Sequence, residues 1–267
     1  MGLTYNGKFM KNLKKRIKGG ESVLGCWLNL GSSLTAEIIG LAGFDWLLID
    51  LEHGSGTEKD LLYQLQAMEH TAAAPLVRVE SSERQRIQRV LDMGAEGVMC
   101  PRIRNLAEAE QVAKGLRYPP VGNRGVAKMV RTTRFGKNFD AYRKNEQDEI
   151  VGIVQIETVE VLDHLNEIAS LEGIDVLFIG PSDLSMELGI FGQFDHPRFV
   201  DAVKITIHAA RKSGKAAGIL LYDPDDFQIY YDMGIRVFAS GSDAGFVASG
   251  AISLYEKLNA HRTGNTK

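Results

Sequence analysis

Only two of the 267 residues are cysteine, Cys26 and Cys100, and each sits inside an apolar run. That excludes a disulfide framework or a thiolate metal site, and a pair of buried thiols suits a reducing cytosol. Long hydrophobic runs are missing too: no stretch approaches the ~20 consecutive apolar residues that a membrane span requires. The basic run from Lys11 to Lys18 is followed by no apolar segment or cleavage site, so it reads as one solvated helix face, not a targeting signal. Neither sign of charge dominates. The net charge of −3, with Lys and Arg dispersed among acidic residues, argues against a nucleic-acid surface, which shows clustered positive charge. Gly-x-Gly-x-x-Gly and Walker-type sequences are absent, as is a Gly-x-Ser-x-Gly elbow, for which Gly54-Ser55-Gly56 is too short. These absences leave a cytoplasmic protein with no membrane, nucleic-acid or nucleotide partner.

What is present is alternation. Short apolar runs at 23–28, 46–50, 76–79, 97–100, 150–157, 176–179, 216–221 and 237–240 are rich in Val, Ile and Leu with little polar interruption. Parallel strands covered on both faces have this composition. Helix-period stretches at 34–42, 58–71, 83–93, 106–116, 159–170, 198–212, 224–233 and 246–258 separate them, with Gly43, Gly94 and Gly234 as stops. Eight strands alternating with eight helices over this length predict an α/β fold, a (β/α)8 TIM barrel, with an open doubly wound sheet as the competitor. We expect a single domain over 1–267, with an N-terminal helix and the barrel at about 20–262. Residues 117–149, with Pro119-Pro120 and Arg124-Gly125, form a long loop before strand 5, and such loops serve function or subunit contact.

Active sites of this fold lie at the C-terminal ends of the strands. Polar residues there include Asp50, Glu52 and His53 after strand 2, Arg78 ending strand 3, Gln155 and Glu157 on strand 5, and Ser182 and Asp183 after strand 6. Gln155 and Glu157 are two apart and share a strand face. Glu157 and Asp183, from neighbouring strands and without nearby Cys, suit a hard divalent ion. The competing readings are an N-cap role for Asp183 before a short helix at 184–188, and a solvated Glu157 beside a helix cap at Thr158. His53 is the only one of six histidines at a strand end, and a neutral imidazole is a natural general base. Asp50 or Glu52 can hold its tautomer, while a metal-ligating role for His53 is the alternative. Arg78 needs an anion if buried, either a carboxylate such as Glu80 or Glu52 or a substrate anion, and its position favours the substrate. No lysine stands at a strand end for a Schiff base: Lys59 and Lys128 lie in connections, and Lys215 enters its strand at the opposite end.

At these residues the chain resembles the HpcH/HpaI aldolase family, the class II pyruvate-dependent aldolases. These include enzymes acting on 4-hydroxy-2-oxo-heptanedioate and on 2-keto-3-deoxy sugar acids. The resemblance rests on the run from Asp45 to His53, on Arg117-Tyr118-Pro119-Pro120 with Gly122 and Arg124-Gly125, and on the run from Val154 to Thr158. The run from Phe178 to Leu184, and Lys215-Ala216-Ala217-Gly218 leading to Leu220, complete it. It extends from Gly25 to beyond Ser240. The resemblance implies a lyase that makes or breaks carbon–carbon bonds through a pyruvate enolate, giving pyruvate and an aldehyde. It places the metal ligands on Glu157 and Asp183, for Mg2+ or Mn2+ with Co2+ as a third option. The base falls on His53, supported by Asp50, and the substrate-binding arginine on Arg78. Gln155 lines the metal site, the backbone at Ser182 meets the pyruvyl carboxylate, and Trp27 and Leu220 shape the pocket. A homo-oligomer is also implied, a hexamer built from dimers. One departure is Ala127-Lys128-Met129 in the long loop, where relatives carry a small, Gly-rich stretch, which leaves the aldehyde unnamed. A citrate lyase β-like acyl-CoA lyase is the alternative, disfavoured by His53. A non-catalytic 2-oxo acid binding protein is a third reading.

Overall fold

Eight parallel strands pair in chain order and close on themselves, β1 against β8, in the computed structural model, which describes residues 12–262. They are β1 (Val23–Leu28), β2 (Trp46–Asp50), β3 (Ala74–Arg78), β4 (Gly97–Cys100), β5 (Val151–Ile156), β6 (Val176–Ile179), β7 (Ala216–Leu221) and β8 (Val237–Ser242). The helices are α1 (Leu13–Lys18), α2 (Ser33–Leu41), α3 (Glu58–Met68), α4 (Arg84–Met93), α5 (Leu106–Gly115), α6 (Phe139–Glu149), α7 (Leu165–Ser170), α8 (Pro181–Glu187), α9 (Pro197–Lys212), α10 (Phe227–Met233) and α11 (Asp243–Arg262). Closure settles the choice against an open sheet. No helix among the described residues is long and apolar enough to cross a membrane.

The lack of polar alternation in the strands has a direct cause, since both of their faces are buried. One set of side chains, including Trp27, Trp46, Leu48, Leu76, Ile153 and Phe178, forms a cluster in the barrel interior. The alternate set, including Cys26, Leu47, Ile49, Val77, Val154 and Leu177, packs against the helical layer. Both cysteines are buried and free. Trp27, Trp46 and Phe178 meet pairwise with ring centroids 5.8–6.3 Å apart. Space for Trp46 comes from Gly25 opposite it, where any Cβ would stand 2.2 Å from the indole. At the ends of α4 and α10, Gly94 (φ 108°) and Gly234 (φ 120°) take up left-handed φ values that other residues adopt at a cost.

Two expectations are corrected. The long connection before β5 is not a structureless loop: it holds a 3-10 turn at Arg131–Thr133 and the whole of α6. Arg124 organises it, wholly buried between the rings of Tyr118 and Tyr142 at 4.7 and 5.4 Å and paired to Asp92 at 2.7 Å. Nor is the basic N-terminal run one solvated face. Lys11 lies outside the described residues, but Lys14 is buried at 3% exposure. It pairs with Asp175 at 3.0 Å and donates to the Ile150 carbonyl at 2.9 Å. Leu13 and Ile17 flank it and join the interior cluster, so α1 plugs the end of the barrel at which the strands begin.

Asp175 also accepts from the Gly152 N–H at 2.9 Å, so it ties β5, β6 and α1 together. Asp175→Ala should cost about 3–5 kcal/mol in urea unfolding, because it strands a buried ammonium. Adding Lys14→Met should recover part of that loss. A cost below about 1 kcal/mol for Asp175→Ala would mean that the pair does not lock the plug.

Candidate active site

The site grows out of strand register. Pairing of β2 with β3 sets Asp50 beside Arg78, at the last residue of each strand. The guanidinium is nearly buried, at 8% exposure. Its Nε and Nη2 donate to the two oxygens of Asp50 at 2.9 and 2.6 Å, and its Nη1 lies 2.9 Å from Glu52 and 3.5 Å from Gln155 Oε1. Beneath it lies the Trp27 ring, 5.7 Å from the guanidinium carbon. Arg78 thus meets protein carboxylates, of which Glu52 is one of the two partners the sequence offered. Glu80 is engaged elsewhere, with Arg86.

Gln155 passes the network on, its Nε2 donating to Glu157 Oε2 at 2.9 Å, while the Arg102 backbone N–H donates to Oε1 at 2.6 Å. Arg102 offers that N–H from a left-handed turn (φ 51°) just beyond β4. Glu157 is therefore not a solvated residue beside a cap: it is 2% exposed. Thr158 donates instead to the Ile103 carbonyl at 3.0 Å. Gly180 makes room for the carboxylate, since a Cβ there would stand 2.6 Å from Glu157 Oε2. Burial pushes the Glu157 carboxyl up to about 7, and the charges of Asp183 and Glu52 add to this. Glu52 is shifted upward as well, again chiefly by burial.

Asp183 lies in the first turn of α8, whose N-cap is Gly180, so the competing reading of Asp183 as an N-cap does not hold. Its side chain is 52% exposed, with Arg102 Nη1 3.8 Å away. His53 stands at the same mouth with its ring 70% exposed and its Nε2 3.8 Å from Glu52 Oε1, beyond hydrogen-bond reach. Asp50 does not touch the imidazole. It accepts instead from the Glu52 and His53 backbone N–H groups at 3.0 and 3.3 Å, fixing the chain that carries the ring. Ser182 and Leu220 line the β6–β7 side, where Leu220 packs on the interior cluster. Two further residues belong to the mouth: Arg102, and Asn29, whose Nδ2 donates to Asp50 at 2.9 Å. Each follows closely on a strand end, and reading every such position would have found them.

The mouth is acidic beyond its local compensation. Asp50, Glu52, Glu157 and Asp183 face Arg78 and the partly exposed Arg102. Among the described residues no group of three or more His, Cys, Asp and Glu side chains is arranged to hold a metal. Glu157 and Asp183 form a two-carboxylate end of the kind that holds a hard cation when water and substrate oxygens complete it.

Such a barrel, with its acidic and cationic groups gathered where the strands end, has the build of a (β/α)8 enzyme. The chain belongs to the HpcH/HpaI aldolase/citrate lyase family, whose sequence model matches residues 23–249, and it is an enzyme of the aldolase class. It is 37% identical over 253 residues to a 4-hydroxy-2-oxo-heptane-1,7-dioate aldolase of Escherichia coli, covering 94% of this chain and 96% of that one. It is 39% identical over 239 residues to a 2-keto-3-deoxy-L-rhamnonate aldolase of Shigella sonnei, covering 89% of each. A crystal structure of a family protein from Burkholderia cenocepacia J2315 superposes with a TM-score of 0.87 at 34% identity, covering 92% of this chain and 98% of that one.

The raised Glu157 carboxyl gives a signed prediction. Its folded form holds a proton up to about 7 against an ordinary 4.5, so in that window the native state binds more protons than the unfolded one. Stability from this group therefore falls as pH rises through it. With no divalent ion added, Glu157→Gln should gain about 3 kcal/mol on the parent between acid pH and pH 8. Parallel pH–stability curves for the two proteins would refute the assignment.

Proposed function

We propose that the chain is a divalent-metal-dependent aldolase that cleaves or forms 4-hydroxy-2-oxo acids, giving pyruvate and an aldehyde by way of a pyruvate enolate. The observation that carries this reading is the carboxylate pair Glu157 and Asp183, with Glu157 raised by burial and by the charge of Asp183, beside a guanidinium fixed by Asp50. Both named relatives are aldolases of oxo acids. Glu157 and Asp183 would hold Mg2+ or Mn2+, with Co2+ as a third option. A bound divalent ion supplies Lewis-acid stabilisation worth several kcal/mol to the developing negative charge.

The remaining chemistry belongs to side chains. His53, exposed at the mouth, takes the proton from the C4 hydroxyl; such a base contributes ~10²–10⁴-fold. The C3–C4 bond breaks, its electron pair passes to C3 and the C2 oxygen as the enolate, and the C4 fragment leaves as the aldehyde. Arg78, held rigid by Asp50, faces the enolate oxygen with a fixed positive charge that needs no reorganisation. Gln155 keeps Glu157 oriented. Protonation at C3 then yields pyruvate. Trp27 and Leu220 form the apolar wall, and the backbone at Ser182 receives the carboxylate. The chain works as a single barrel domain in the cytoplasm.

We read the working form as a homo-oligomer, and the family resemblance points to a hexamer. After Asp243, α11 buries none of its side chains: Phe246, Val247, Ile252, Leu254, Tyr255 and Leu258 are exposed, as are Leu34, Ile38 and Leu41 of α2. Apolar surface of this extent marks a subunit contact. Sedimentation should show an oligomer that Ile252→Asp/Tyr255→Asp weakens, and a monomeric parent protein would contradict this.

The reaction is tested by proton NMR of pyruvate in D2O. Methyl protons should exchange in the presence of enzyme with Mg2+ or Mn2+, and exchange should stop with EDTA. Glu157→Ala and Asp183→Ala should each lower metal-dependent turnover by at least ~10²-fold. Full activity in either variant, or no exchange with any divalent ion in folded protein, would overturn the reading.

A further inference from the structure

The residue that follows β7, Tyr222, plays no part in the mechanism above, yet its phenol reaches the mouth. Its hydroxyl is 2.5 Å from Ser182 Oγ, and Ser182 is next in the chain to Asp183. The ring is held from its other side. It stacks on Phe194 with planes 2° apart and centroids 5.5 Å apart, and Phe194 packs on the buried Phe199 at 5.3 Å. Tyr222 is 58% exposed, so burial does not account for an aromatic placed and fixed in this way.

Counting protons shows what the pair can do. Each hydroxyl carries one hydrogen and two lone pairs. The bond between them uses one hydrogen, and the other remains to donate to a further acceptor. Stacking restrains the phenol, and the helical backbone of α8 restrains the serine, so the two oxygens are held in place before any ligand arrives. We propose that the Ser182–Tyr222 hydroxyl pair is a substrate-binding element that donates its remaining hydrogen to the carboxylate of the 2-oxo acid. The inference rests on the aldolase reading: in that reaction the carboxylate and keto oxygens lie at the Glu157–Asp183 end, one residue from Ser182. Tyr222 then sets affinity for the oxo acid and not the rate of bond cleavage.

The test compares Tyr222→Phe, Ser182→Ala and the double variant with the parent. The phenyl ring retains the stack on Phe194, so only hydroxyls are removed. In the double variant KM for the 2-oxo acid should rise about tenfold or more, as expected for a lost hydrogen bond to a charged group. The loss should fall on KM and not on kcat. Binding of oxalate, an enolate-shaped anion that is not turned over, should weaken in parallel by calorimetry. Each single variant leaves one hydroxyl able to donate, and intermediate shifts are expected. An unchanged KM and oxalate Kd in the double variant would reduce the pair to a staple between β7 and α8 and overturn the inference. Pyruvate proton exchange by the parent separates the two failures: its absence strikes the aldolase reading, and its presence beside an unchanged double variant strikes this inference alone.

Discussion

Everything at the mouth depends on placing a guanidinium where water scarcely reaches it. Arg78 stands at the end of an apolar strand over the Trp27 ring, a position an unpaired charge cannot occupy without several kcal/mol of penalty. Bidentate pairing to Asp50 removes that penalty and fixes the fork. The β2–β3 register is what makes the pairing available. Once Arg78 is fixed, Glu52 and Gln155 have a partner, and Gln155 orients Glu157. The same Asp50 carboxylate accepts from the backbone of Glu52 and His53. One ion pair thereby orders Arg78, Glu157 and the backbone that carries His53 together.

The two ends of the barrel hold their charges by different partners. Where the strands begin, Lys14 and Asp175 neutralise each other and α1 closes the opening with Leu13 and Ile17. Where they end, carboxylates outnumber their partners, and burial drives Glu157 upward to about 7. An interior built only for stability would exchange such groups for apolar ones. Departures from local compensation concentrate at functional sites, and the remainder of the structure offsets their cost. In the proposed reaction that excess negative charge would become binding free energy for a divalent cation.

Much of this was legible in the sequence, for reasons that differ by residue. Strands β1, β2, β4, β6 and β7 have the bounds their apolar runs predict, because strands buried on both faces leave a continuous signal. The mouth residues were visible because polar side chains at the ends of such runs contrast with everything around them. What escaped depends on pairing at long range. Lys14 looks like part of a solvated face until Asp175, far away in the chain, comes beneath it. Asp50 and Glu52 were both candidates to hold His53, and only the register shows that they hold Arg78 instead. Residues 117–149 look like a loop because their order comes from Arg124 seated between two tyrosines, a contact with no periodicity.

The least conventional element of the barrel is its last helix. In a self-sufficient (β/α)8 domain the final helix covers the outer face next to β1, but here only Asp243 of α11 is buried, and Leu24 on β1 remains exposed. Asp243 is fastened firmly all the same: it accepts from the Asn29 N–H at 2.7 Å and from Thr35 Oγ1 at 2.7 Å. Asn29 in turn donates through its side chain to Asp50. A hydrogen-bonded path therefore runs from the root of α11 through Asn29 and Asp50 to Arg78. In the proposed oligomer a neighbouring copy would cover α11, and the load it places on that helix would meet its first fixed point at Asp243. The contact that assembles subunits and the ion pair that orders the mouth would then share one anchor. Such an arrangement would give a physical reason for the barrel to leave its closing helix exposed to a partner.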